Sequence, residues 1–127
     1  MSPSNFVDTL DPKPAPSVAR LLELVLSTAV PASLEAGDDP MAIAERANLP
    51  VVETMAALGA LLKAHMGNFF VRVVNSDGET LREYQTLDEV EPVILDKFDI
   101  EHRVEPDQTR VLFRAEPALL KYVSGVR

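Results

Sequence analysis

Apolar positions in the first half of the chain recur at helical spacing. Val18, Leu21, Leu22, Val25 and Ala29 follow one another at steps of three and four residues, the stripe that a helix turns toward a core. Leu24 and Leu26 widen that stripe, so burial within the domain is expected, with a dimer interface as the lesser alternative. Ser17 stands where an N-cap hydroxyl would accept an otherwise unpaired amide, and Pro31 is expected to end the helix. Asp39 and Pro40 open a second helix, proline being harmless at the first helical position. Ile43, Ala44 and Ala47 form its inward face, and Asn48, which tolerates left-handed backbone, ends it. Leu49-Pro50 turns the chain into a third helix with Val51, Met55, Leu58 and Leu62 on one side. Ala56, Ala57, Gly59 and Ala60 permit a close neighbour, and Gly67-Asn68 stops the helix.

Beyond that point the pattern predicts strands. Residues 69–75 and 80–85 flank Asp77-Gly78, a hairpin turn whose two residues accept positive φ. The register places Val74 opposite Leu81, Val73 opposite Arg82 and Val71 opposite Tyr84. Thr86-Leu87-Asp88-Glu89 has capping-box form, and a helix starting or kinking at Pro92 would bury Val93, Ile94 and Phe98. Residues 100–104 and 109–114 then suggest a second hairpin around Pro106-Asp107. Glu116-Pro117 opens a last helical turn with Leu119, Leu120, Tyr122 and Val123. The first sixteen residues hold Pro3, Pro12, Pro14 and Pro16 and read as a flexible arm, which Phe6, Val7 and Leu10 could dock. Residues 17–127 are expected to form a single α+β domain.

Composition narrows the chemistry. The 127 residues are 46% hydrophobic and 25% charged, with a net charge of −8, enough for a real core and against wholesale disorder. Such acidity disfavours non-specific attraction to phosphate or anionic lipid. The absence of cysteine removes disulfides, thiolate catalysis and cysteine-based metal sites. His65 and His102 match no metal-ligand spacing, so neither a metal nor a cofactor is expected. No apolar run reaches the roughly 20 residues a membrane helix needs, no signal-peptide pattern is present, and a cytoplasmic location is the expectation.

The order helix, turn, helix, hairpin over residues 40–84 resembles a winged helix-turn-helix. Ala44 stands at the small packing position, Asn48 at the turn, Leu49 at the following apolar position, and Thr54-Met55 near the start of the second helix. The resemblance implies helices packed into a winged-helix-like core with a β-hairpin wing, followed here by a second hairpin and short helices. It also implies that Thr54, Lys63, Arg72 and Arg82 would carry contacts if the chain bound DNA as a dimer. Charge argues against that use. Groove readers need cations at phosphates and Arg, Lys, Asn or Gln at base edges. From Leu49 to Leu62 there is no lysine or arginine, and Glu53 is negative. Residues 40–86 carry four bases and five acids, a net charge of −1.

The sequence therefore favours a non-enzymatic protein–protein interaction or assembly domain, with a protein partner or a second copy of the chain. Its candidate contacts are Glu53, Thr54, Lys63, Arg72, Arg82 and Tyr84. Arg103 and Arg110 face each other in the expected second hairpin and form a weaker candidate anion contact, since like charges tolerate that placement only with an intervening anion or carboxylate. The acidic run from Asp88 to Glu101 lacks the order of a calcium loop and reads as a solvated face. No catalytic triad, phosphate-binding glycine loop or nucleotide fingerprint is present.

Overall fold

The computed structural model describes residues 2–126; Met1 of the expected arm and Arg127 of the expected domain lie outside the described residues. The chain is mixed α+β. Helices α1 (Pro3–Asp8), α2 (Pro16–Ser27), α3 (Pro31–Ala36), α4 (Pro40–Ala47) and α5 (Val51–Lys63) come first. Strands β1 (Gly67–Val74), β2 (Thr80–Tyr84), β3 (Val93–Leu95), β4 (Glu101–Arg103) and β5 (Thr109–Ala115) follow, and α6 (Pro117–Val126) closes the order. Two compact units result. A helical unit comprises the residues up to Asn68 and those from Phe113 onward, and a strand unit runs from Phe69 to Leu112.

Proline organises the helical unit in a way the sequence reading did not anticipate. Five helices, α1 to α4 and α6, begin on a proline, where the fixed φ is already helical and the missing amide would have gone unpaired. Pro31 thus starts α3 rather than merely closing α2, which already ends at Ser27. Pro16 takes the first position of α2 after Ala15, so Ser17 is not its N-cap. The segment expected to be an extended arm instead forms α1, capped by the Ser2 hydroxyl. Phe6, Val7 and Leu10 are buried there, and the Phe6 ring stacks on Tyr122 at 4.1 Å.

The core of this unit is built from Leu22, Val25, Leu26, Leu34, Leu58, Leu61, Phe113 and Leu119. Helix α2 packs on α1, α4 and α5, and α3 on α6. Fully burying one such leucine or phenylalanine is worth about 1.5–3 kcal/mol, so this apolar cluster holds the helices together. The void within the cluster measures about 10 Å³, about the room that one water requires. It offers no chamber for a small molecule.

Helices α4 and α5 end alike. Asn48 takes left-handed φ of 55°, with its amide donating to Glu45 and that of Leu49 to Ala44. His65 takes φ of 58°, its amide donating to Leu62 and that of Met66 to Leu61. This pair of bonds around a left-handed residue satisfies carbonyls that a helix end leaves open. The predicted end of α4 at Asn48 holds. Helix α5 stops earlier than Gly67, and Gly67 opens β1 where any Cβ would run into the Phe113 ring.

In the strand unit a three-stranded sheet has the order β2-β1-β5, while β3 and β4 form a separate antiparallel pair. The first hairpin pairs Val71 with Tyr84 and Val73 with Arg82, as expected, but an irregularity then sets Val74 opposite Thr80 rather than Leu81. Its turn is longer than a two-residue Asp77-Gly78 loop. The Gly78 amide donates to the Asn75 carbonyl at 3.0 Å and the Asn75 amide to Glu79 at 2.9 Å. Gly78 supplies the positive φ of 83° that such a bulged loop needs.

The region from Pro92 departs from expectation. Val93, Ile94 and Leu95 form a strand, not a helix, because their alternation suits a half-buried pleat and proline is tolerated where a strand begins. Only Ile94 of the three is buried. Strand β4 pairs with β3, placing Arg103 opposite Val93 and Glu101 opposite Leu95. Strand β5 joins β1. The second hairpin therefore forms between different partners from those the sequence suggested.

The β3–β4 turn repeats the β1–β2 turn bond for bond. Asp96 replaces Asn75: its amide donates to Ile100 at 3.0 Å and its carbonyl accepts from Asp99 at 3.0 Å. The side-chain Oδ1 of Asn75 accepts from the amides of Asp77 and Glu79, both at 2.9 Å. That of Asp96 accepts from Phe98 at 2.8 Å and Ile100 at 3.1 Å. Asp99, at φ 60°, stands where the first turn has Gly78.

Candidate functional site

The surface of α4, its following turn and α5 is formed by residues with no place in the core. Thr54, Ala57, Leu58 and Leu61 are the buried side of α5. Of the side expected to face inward, only Leu58 does so, while Val51, Met55 and Leu62 are exposed. The helix has rotated to set its smaller residues against the neighbouring helices, and its larger aliphatic residues emerge. Val52 is 81% exposed and Met41 of α4 is 64% exposed. Met41, Leu49, Pro50 and Val51 line an open depression between the two helices, with Glu45 and Asn48 beside them.

The depression itself is lined by no lysine or arginine, and the exposed Lys63 stands only in the last turn of α5. Arg46, the basic residue of α4, is turned toward the Asp38 carboxylate, which is buried. Burial pushes the Asp38 carboxyl above its ordinary range more than Arg46 draws it down. The same Asp38 exchanges two backbone bonds of 2.8 Å with Phe113, so the pair fastens the loop before α4 to the start of the returning chain.

The expected contact residues fall into different settings. Glu53 is exposed on α5. Thr54 is not a surface group: it is fully buried, and its hydroxyl donates to the Pro50 carbonyl at 3.1 Å. This makes it an anchor of the first turn of α5. Lys63 is exposed and, with Lys13, borders a shallow groove floored by Ala56, Gly59 and Ala60.

In the strand unit, Arg72 donates to Glu83 through Nε at 2.9 Å and Nη2 at 2.7 Å and lies 5.3 Å from the Phe70 ring centroid. Arg82 donates to Glu91 at 3.1 Å. Glu83 stands opposite Arg72 and is adjacent to Arg82, and successive strand residues point to opposite faces. Arg72 and Arg82 therefore leave the hairpin on opposite sides and do not converge. Tyr84 is half-buried, with its hydroxyl oxygen enclosed.

Arg103 and Arg110 do not face one another. Arg103 lies opposite Val93 on β4, and Arg110 on β5 donates to the Asp107 carbonyl within its own turn. The anion contact expected from their opposition loses its geometric basis. Asp96, expected on a solvated acidic face, is engaged by two amides and by His102 Nε2 at 2.7 Å. The His102 bond, then the Ile100 amide, holds the Asp96 carboxyl below its ordinary range. The signal for this turn was present in the matching offsets of Asn75 to Glu79 and Asp96 to Ile100. Among the described residues no group of three His, Cys, Asp or Glu is placed to hold a metal ion, and no helix is long and apolar enough to cross a membrane.

Comparison of the chain with protein-family models, curated proteins and solved structures yields no match.

Proposed function

We propose that this chain is a non-enzymatic protein–protein interaction or assembly domain on a winged-helix-like scaffold, with the α4–α5 surface as its contact. The observation that carries the reading is the apolar exposure of Met41, Val51, Val52 and Met55, with half-buried Leu49 and no cation lining the depression between them, where the resemblance would put a groove-reading helix. Clustered exposed apolar residues favour a protein contact, whereas duplex DNA demands several well-placed cations. Arg46, Arg72 and Arg82 each already hold a carboxylate, which further weakens a DNA role.

The test compares the wild-type chain with a Val52→Glu/Met55→Glu variant, both immobilised in a lysate of the source cells and probed in solution with duplex DNA. Both positions are exposed, so the fold should persist, as checked by circular dichroism. The expected result is a stoichiometric partner held by the wild type and lost by the variant. Salt-sensitive duplex binding by the wild type, with no such partner, would overturn the reading in favour of a DNA-binding regulator.

A further inference from the structure

The β3–β4 pair carries a second apolar surface whose electrical surroundings differ from those of α5. Val93 and Leu95 project from the same face of β3, because they alternate with buried Ile94. Leu95 stands opposite Glu101 and Val93 opposite Arg103. The turn adds Phe98, 71% exposed, and Ile100, also exposed. A turn with two side chain-to-amide bonds from Asp96 holds these residues out, so their exposure belongs to an ordered loop. Burying such residues in water-free contact would recover apolar area that folding has left exposed.

Charge identifies the occupant. Residues 86–107 contain eight carboxylates against Lys97 and Arg103, a net charge of −6, out of −8 for the whole chain. Asp88, Glu89, Asp99, Glu101, Glu105 and Asp107 are exposed. An apolar face framed in this way repels anionic lipid and nucleic acid and complements Lys- or Arg-rich protein.

We propose that the β3–β4 face docks a basic amphipathic segment of a partner protein, its apolar residues on Leu95, Phe98 and Ile100 and its cations toward Asp99 and Glu101. This inference rests on the reading of the chain as a protein-binding domain, but not on the α4–α5 surface being the contact.

The probe is a short fluorescein-labelled peptide of alternating leucine and lysine, titrated with the full chain by fluorescence anisotropy. A leucine–glutamate peptide and phosphatidylserine vesicles serve as controls. Phe98→Ser/Ile100→Ser and Asp99→Asn/Glu101→Gln should each weaken lysine-peptide binding by about tenfold or more. Asp11→Asn/Glu35→Gln removes the same charge from the helical unit and should leave affinity within about twofold. The inference is overturned by equal loss in the charge-matched control, by undiminished binding in Phe98→Ser/Ile100→Ser, or by preference for the vesicles or the leucine–glutamate peptide. Loss confined to Val52→Glu/Met55→Glu would also overturn it while leaving the adaptor reading standing. Concentration-dependent dimerisation abolished by Phe98→Ser/Ile100→Ser, without peptide binding, would assign the face to self-association and overturn it too.

Discussion

Asp99 illustrates how a single residue can be set against its backbone. It occupies a left-handed position at φ 60° that the sister turn gives to Gly78, and a side chain there meets the following carbonyl. Asp99→Gly should therefore stabilise the chain by about 0.5–1 kcal/mol, read as a raised urea midpoint. Gly67 presents the opposite case. A Cβ at that position would enter the Phe113 ring and press on the Arg114 carbonyl; Gly67→Ala should cost about 1–3 kcal/mol by overpacking, measured by the same denaturation.

Two aspartates respond to acid with opposite sign. Asp96 is held below its ordinary range by His102 and the Ile100 amide, so its contribution is present above the unfolded-state value and fades as pH falls through the folded one. Asp38 is raised by burial. Its ionised form therefore opposes folding at neutral pH, and protonation relieves that opposition as pH falls toward and below the raised value. Asp96→Asn should keep the turn, because Asn75 builds the same one, yet remove the acid-sensitive step expected of the hairpin as pH falls through the lowered folded-state value. Hydrogen exchange at the Phe98 and Ile100 amides would report it. Arg46→Ala should destabilise by about 1–3 kcal/mol at neutral pH and by less as the medium becomes acidic, because Asp38 then protonates in place of pairing. A loss that grew with acidity would contradict that account.

At the scale of elements, the same residue type carried different messages in different contexts. Proline at 31, 16 and 3 was legible as a break in a pattern. That it begins helices α1 to α3 depends on apolar residues a turn later finding a core, as Phe6, Leu22 and Leu34 do. The α4 cap, by contrast, was written locally. Asp39 accepts from the Met41 amide at 2.9 Å, Pro40 follows, and Asn48 turns left-handed, all within one short segment. The β3 segment was misread because Thr86 to Glu89 and Val93 to Phe98 satisfy a helical spacing as well as an alternating one. Three residues are too few for periodicity to decide, and the pairing of β3 with β4 supplies the missing evidence. Helix α5 shows a subtler failure. The four-three-four spacing of Val51, Met55, Leu58 and Leu62 marks a stripe, but so does Thr54, Ala57, Leu58 and Leu61, and the second one is buried.

At the scale of the molecule, local chemistry and long-range pairing divide the account. Composition, periodicity and turn residues were enough to establish a mixed α+β chain with helices first, the extent of α4, the start of α5, and most of the first hairpin's register. Those features depend on backbone preferences within a few residues of one another, which a linear string preserves. The lack of cations from Leu49 to Leu62 was likewise plain, and it is what directs attention away from duplex binding. Only the tertiary structure decided which strands pair beyond the first hairpin, that Thr54 is core and Met55 surface, that Arg72 and Arg82 part company, and that Arg103 never meets Arg110. Each of these depends on contacts between residues far apart in the chain or on a choice between two nearly equivalent faces. The sequence carries both alternatives at similar local free energy, and burial of one set of side chains selects between them.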